Sequence, residues 1–305
     1  MPKEGLKKVL ITGASGLLGA NIIKNLPENW QTVGVVNKHK INPPNERASI
    51  IEYNLLEEDV SRLFKECGPF NAVIHTAALT NVDQCEEDKD LAYKLNVKLT
   101  EEIVFNCAVN NIFLLHISTD HIFDGKDGNY DEDSEPAPIN YYAETKLLAE
   151  EKVKIGGAKY AIIRTNFFGY NVQNKNDLAG WIVKSLRGKM PVRLFKDVFF
   201  SPILVDYLID FIVEIVEEKK EGLFNIAAGD SCSKYDFGMK LAEALDLDKS
   251  LISSISVEES GLKVKRPKNM TLDTAKAKKI FKNKIPLIDE SIEKYKELDK
   301  IYNQN

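Results

Sequence analysis

Between Lys8 and about Arg164, short β-rich runs alternate with helix-length stretches, and this constrains the chain more than any other feature. The runs are KVLITG, QTVGVVN, SIIEYN, AVIHTAA, FLLHISTD and YAIIRTN. Strands separated by helix-length segments cannot be joined by tight turns, so they pair in parallel through crossovers. FLLHIS is apolar without alternation, which suits a strand covered on both faces. The expected architecture is α/β with a doubly wound parallel sheet.

Past Arg164 the pattern loosens. Helices are expected over 203–218, 234–246 and 273–282, and GLFNIAAG reads as one more strand that rejoins the first sheet. The stretch 125–140, rich in Gly, Pro and acidic residues, reads as a surface loop before a helix opening near Tyr142.

The first strand runs straight into VLITGASGLLGANIIKNL, which sets Gly13, Gly16 and Gly19 between a strand and an amphipathic helix. Glycines at this spacing let backbone approach a pyrophosphate, which then lies against the positive end of the helix. This context makes the first part of the 305-residue chain a dinucleotide-binding Rossmann domain over residues 1–165. Residues 166–305 are expected to form mainly a smaller substrate-binding lobe. The second strand ends in Val36-Asn37-Lys38-His39-Lys40. It offers no carboxylate for a ribose 2′-hydroxyl, and Lys38 or Lys40 suits a 2′-phosphate. NADP is therefore the expected cofactor, although so polar a loop also admits NAD.

Tyr142 and Lys146, in YAETK, are four residues apart on one helix face. A lysine ammonium close to a phenol favours its ionised form and makes tyrosine a usable acid–base group. Thr119 ends the strand FLLHISTD, on the sheet edge where ligands bind, and its hydroxyl can bond a substrate carbonyl.

Composition narrows the field. A formal charge of -5 gives no basic surface for nucleic acid. Neither a leader nor a membrane-crossing stretch is read from the sequence, so a cytoplasmic protein is expected. Cys67, Cys85, Cys107 and Cys232 form no CxxC pair, and His39, His75, His116 and His121 form no ligand motif. Neither a disulfide framework nor a catalytic metal is expected.

Taken in order, ITGASGLLG, HTAALTNVDQCEED, LNVKLT, HISTDHIFDG, PINYYAETKLLAEE, IIRTNFFG, NIAAGDSCSKYDF and RPKNMTLDTAKAKK resemble an extended short-chain dehydrogenase, most closely the dTDP-4-dehydrorhamnose reductase group. The resemblance implies NADPH-dependent reduction of a 4-keto-6-deoxy sugar nucleotide. It makes Tyr142 the proton donor, gives Lys146 the nicotinamide ribose and the tuning of Tyr142, and has Thr119 orient the keto group. It sets Gly13, Ser15, Gly16, Leu17, Leu18 and Gly19 at the pyrophosphate, and Asn54 and Leu55 beside the adenine. Ala77, Ala78 and Leu79 pass under the cofactor, while Asn166 and Phe167 border the nicotinamide. Asn96 matches the family's helix-bending asparagine, and Arg266 a segment near the sugar nucleotide; Lys189, Arg193 and Lys196 are further candidates for its diphosphate.

Dehydratases of the same family carry Asp then Glu after the Thr, whereas rhamnose-type reductases carry Tyr in the second position. Here Asp120 is followed by His121, which departs from both and keeps an epimerase or dehydratase open beside the reductase. Some relatives are regulators, such as methionine adenosyltransferase β, so an NADP-binding regulatory subunit is the non-enzyme alternative. The resemblance also implies a homodimer through segments 91–110 and 142–154, although Leu91, Leu95, Ile103 and Val104 equally suit packing on the sheet.

Overall fold

A computed structural model describes residues 6–25, 27–39, 41–170 and 177–303. Lys40 lies outside them. Strands β1 (Lys7–Thr12), β2 (Trp30–Val36), β3 (Ala48–Glu52), β4 (Ala72–His75), β5 (Phe113–Ile117) and β6 (Tyr160–Arg164) form where the β-rich runs predict them. Between most of them lie helices, α1 (Leu17–Lys24), α2 (Val60–Cys67), α3 (Val82–Glu87), α4 (Lys89–Tyr93), α5 (Leu99–Val109) and α6 (Tyr141–Ile155), but β2 runs to β3 with no helix between them.

Beyond β6 come β7 (Phe167–Phe168), α7 (Leu178–Arg187), β8 (Val192–Phe195), β9 (Phe199–Phe200), β10 (Ile203–Leu204) and α8 (Val205–Glu218). The chain closes with β11 (Gly222–Asn225), β12 (Cys232–Ser233), α9 (Lys234–Ala244), β13 (Ile252–Ile255), α10 (Ala275–Ile280) and α11 (Ile288–Asn303).

The main sheet has seven strands in the order β11-β6-β5-β4-β1-β2-β3, parallel at every pairing. Its faces are buried against different helices. Ile22 and Ile23 of α1 and Leu208, Phe211, Ile212 and Ile215 of α8 cover one face. Leu63 of α2, Ile103 and Val104 of α5, and Val153 of α6 cover the other. All five residues of β5 are buried, as an apolar run without alternation requires. Each such Leu or Ile contributes roughly 1.5–3 kcal/mol relative to exposure.

Ile103 and Val104 thus pack into the chain's own core, while Phe105 and Val109 of the same helix are exposed. The helical segment 91–110 is not one regular helix, because five residues, Lys94–Lys98, form a π-turn between α4 and α5. Asn96 stands within it and explains the distortion. Its Oδ1 accepts from Leu79 N at 2.7 Å, and its Nδ2 donates to Leu79 O at 3.1 Å and Thr145 Oγ1 at 2.9 Å. Three bonds to one buried carboxamide hold the helix out of register.

The second lobe has its own core, in which Ile182, Leu194, Phe200, Phe237 and Ile292 meet. It is built on α7, α9, α11 and short strand pairs. The chain interrupts this lobe to return α8 and β11 to the main sheet, where β11 pairs with β6. Among the described residues no helix is long and apolar enough to cross a membrane.

Candidate active site

Because the sheet is parallel, the carboxyl ends of β1, β4, β5 and β6 open on one edge. The strand order reverses there, with β1 flanked by β2 and β4, and such a switch point is where doubly wound sheets bind ligands. Two adjoining cavities follow this edge. One, of about 490 Å³, is lined by Gly16, Leu17, Leu18, Ala78, Thr119, His121, Tyr142, Lys146, Asn166 and Phe167. The other, of about 220 Å³, is lined by Gly13, Ser15, Gly16, Asn37, Asn54, Leu55, Ala77 and Ala78. Gly16, Thr76 and Ala78 belong to both, so the two form one groove.

The shared wall fits a dinucleotide. Gly13 has φ +68, and a Cβ there would stand 2.7 Å from Ala77 N and 2.8 Å from Thr76 Oγ1. A Cβ on Gly19 would stand 2.5 Å from Gly13 O. Only glycine lets the turn and α1 approach this closely. Gly16 caps α1 with no side-chain hydrogen bond and no acidic residue in the first turn. The amides at this positive helix end are left for an anion.

Not every expected contact reaches the groove. Gly19 acts behind the turn, Leu79 has both backbone polar groups bonded by Asn96, and Lys38 is exposed beyond Asn37. None of the three lines either of these two cavities, nor do Asp120 and Arg266.

Thr119, Tyr142 and Lys146 meet in the larger cavity. Thr119 caps the short turn 120–122: its Oγ1 accepts from His121 N and donates to Asp120 Oδ1, both at 3.2 Å, within reach of the Tyr142 phenol. Burial pushes the Tyr142 pKa up, against the Thr119 bond. The phenol is therefore protonated at neutral pH. Residue spacing had set the Lys146 ammonium beside that phenol. Here it donates instead to Ile117 O at 2.7 Å and lies 3.4 Å from His116 Nε2. Burial lowers the Lys146 pKa to about 8, while Glu150 one turn later pulls it upward.

His121 lies edge-on to Tyr142, with ring centroids 5.8 Å apart. Burial, then the charges of Lys234 and Arg266, lower its pKa to about 3, so it is a neutral imidazole. Its Nδ1 is buried with no hydrogen-bond partner among the described residues. Asp120 is raised to about 6 by burial, against a 2.8 Å bond from Asn166 Nδ2. The Arg266 guanidinium pairs with Asp83, in α3, at 2.8 Å.

Sequence reasoning passed over several groups. Thr76, Thr80, Ser118, Thr165 and Asp177 also line the larger cavity. Lys234, at the start of α9, acts electrostatically on Asp120 and His121 and is itself acted on by Arg266. The helix pattern at 234–246 carried no hint of that charge. A further group, Glu150, accepts from Arg164 Nε at 3.0 Å, Arg164 Nη2 at 2.8 Å and Ser118 Oγ at 2.6 Å. It ties α6 to the ends of β5 and β6.

This fold, with a glycine turn, a strand-end threonine and a YxxxK helix on one groove, is that of the extended short-chain dehydrogenase class. Residues 7–300 match the family described as RmlD substrate binding domain, and the chain belongs to it. It is 30% identical over 270 residues to the probable low-salt glycan biosynthesis reductase Agl14 of Haloferax volcanii, covering 87% of this chain and 89% of that one. It is 28% identical to methionine adenosyltransferase 2 subunit beta of Mus musculus, over 88% of this chain and 81% of that one. Among solved structures, a dTDP-4-dehydrorhamnose reductase from Bacillus anthracis in complex with NADP superposes with a TM-score of 0.83 at 26% identity, covering 95% and 98% of the two chains.

Proposed function

We propose that the protein reduces the ketone of a nucleotide-linked 4-keto-6-deoxy sugar, with NADPH as the reductant. The observation that carries this reading is the convergence of a protonated Tyr142 phenol, the Thr119 hydroxyl and the Lys146 ammonium on a cavity continuous with the glycine turn. NADPH, when bound, supplies the hydride. Tyr142 gives its proton to the carbonyl oxygen while the Thr119 hydroxyl turns its one O–H from Asp120 Oδ1 to that oxygen and stabilises its developing charge. Lys146 holds the nicotinamide ribose, the first-turn amides of α1 hold the pyrophosphate, and Asn37, Asn54 and Leu55 border the adenosine. Lys38, exposed at the end of β2, meets the 2′-phosphate. Arg266 and Lys234 supply positive charge toward the sugar nucleotide from the second lobe.

His121 bears on two alternatives, dehydration and epimerisation at a carbon beside the ketone, each of which needs a base for that C–H. A side chain whose pKa is driven to about 3 is a weak base at neutral pH. His121 serves instead as a hydrogen-bond partner for a sugar hydroxyl. Retention of Thr119, Tyr142 and Lys146 together favours the enzyme over an NADP-binding regulatory subunit.

The test is NADPH oxidation across a panel of 4-keto sugar nucleotides in deuterated water, with the products analysed by mass. Stoichiometric NADPH loss with no solvent deuterium at the carbons flanking C4 is expected. Deuterium at those carbons without NADPH loss indicates epimerisation, and tight NADPH binding with no turnover indicates the regulatory subunit.

A further inference from the structure

His75 and His116 stand opposite each other in the register of β4 and β5, buried beneath the site with ring centroids 5.4 Å apart. The sheet interior is an expensive place for two imidazoles, since each needs partners for two ring nitrogens. His75 has both: Nδ1 meets Thr12 Oγ1 at 2.7 Å and Nε2 meets Thr100 Oγ1 at 3.1 Å. These bonds link the strand ends that carry the glycine turn and the Thr76–Ala78 segment.

His116 is different. Its Nε2 faces the Lys146 ammonium at 3.4 Å, and its Nδ1 is buried with no partner among the described residues. An Nε2 hydrogen would point at the ammonium, so the lone pair lies there and the hydrogen sits on Nδ1. The ring thus leaves one polar atom unsatisfied while it offers an acceptor to Lys146. A role confined to packing would not need this arrangement, because an aliphatic side chain could occupy the site without a buried polar atom. Lys146 has three donors. Ile117 O takes one, His116 takes a second, and the third is left toward the cavity that Lys146 lines.

We propose that His116 is a positioning residue for Lys146: its neutral Nε2 fixes the ammonium so that the remaining N–H is aimed into the cofactor groove. The titratable groups that interact with this ammonium are His75 on β4, His116 on β5 and Glu150 on α6, the last paired to Arg164. Of these His116 hydrogen-bonds it, as does the backbone carbonyl of Ile117. The proposal rests on the reading that Lys146 contacts the bound cofactor.

The test is a double-mutant cycle on the full chain, read as NADPH affinity by fluorescence titration and independent of any sugar substrate. Lys146→Met, His116→Leu and their combination are compared, with His116→Gln as the conservative variant. His116→Leu is expected to weaken NADPH binding about tenfold, the size of one lost charge-assisted hydrogen bond. In the Lys146→Met background the same change should alter affinity less than about twofold. His116→Gln, whose amide oxygen reaches the position of Nε2, should recover most of the loss.

Equal losses in both backgrounds, or none beside native Lys146, would overturn the positioning role. An unaltered NADPH affinity in Lys146→Met would instead overturn the cofactor assignment on which it rests. Should His116→Leu fail to fold, His116→Gln and His116→Asn still decide. Retained affinity in the first with loss in the second supports the proposal, and equal behaviour of the two refutes it.

Discussion

The ion pair between Glu150 and Arg164 offers the sharpest test of how the site is supported. Both side chains are withdrawn from solvent, at 0% and 2% exposure. The carboxylate takes two bonds from the guanidinium and one from Ser118, the residue before Thr119. Glu150→Leu leaves the guanidinium buried without its counter-charge, and stranding one member of such a pair costs about 3–5 kcal/mol. For a chain of 305 residues that corresponds to a fall in melting temperature of roughly 5–8 °C.

The assay is thermal unfolding followed by circular dichroism at pH 7. Net of its burial, Glu150 has its pKa lowered by Arg164 and Ser118. Its stabilisation is thus complete above the unfolded-state pKa and is lost only as pH falls through the lower folded value. Glu150→Leu combined with Arg164→Met should recover most of the loss, because apolar replacement of a whole buried pair is often neutral. A single variant that melts within about 2 °C of wild type would refute the reasoning. So would a double variant worse than the single.

Three further outcomes follow from the same geometry. Burial lowers His75 and His121 to about 3 and His116 well below its ordinary value. The unfolded chain therefore takes up protons first as pH drops from 6.5 toward 3, and stability falls in that window. At pH 5 this amounts to roughly 2 kcal/mol per histidine, opposed by about 1 kcal/mol each from Asp120 and Asp177, both raised to about 6 by burial; a melting temperature unchanged between pH 7.5 and 5 would contradict it. Gly13→Ala must adopt φ +68 with its Cβ 2.7 Å from Ala77 N. A loss of about 2–4 kcal/mol is expected, with much weaker NADPH binding, measured by urea unfolding and fluorescence. Asn96→Ala strands the Leu79 amide and carbonyl, and the same unfolding assay should register about 2–3 kcal/mol.

The strands of the main sheet were legible because their apolar runs are too short for helices and are punctuated by glycine. The two-lobed division was harder to read, since α8 and β11 return to the sheet from within the later half. Gly13, Thr119 and Tyr142 announce themselves through position at strand ends or spacing on a helix. Lys234 and His116 do not, because their importance arises from residues distant in sequence: Asp120 and Arg266 for the first, Lys146 for the second. The direction of the Lys146 ammonium was similarly hidden. A spacing of four places a side chain on a helix face, but the Ile117 carbonyl decides where its tip goes.

The central claim is that Tyr142 is the proton donor of a ketone reduction. Its most direct test is single-turnover NADPH oxidation with a 4-keto-6-deoxy sugar nucleotide, comparing wild type with Tyr142→Phe after NADPH affinity has been matched by titration. The account predicts unchanged binding and a rate reduced about 10²–10⁴-fold, the usual contribution of a positioned general acid. A Tyr142→Phe protein that oxidises NADPH at the wild-type rate would contradict it.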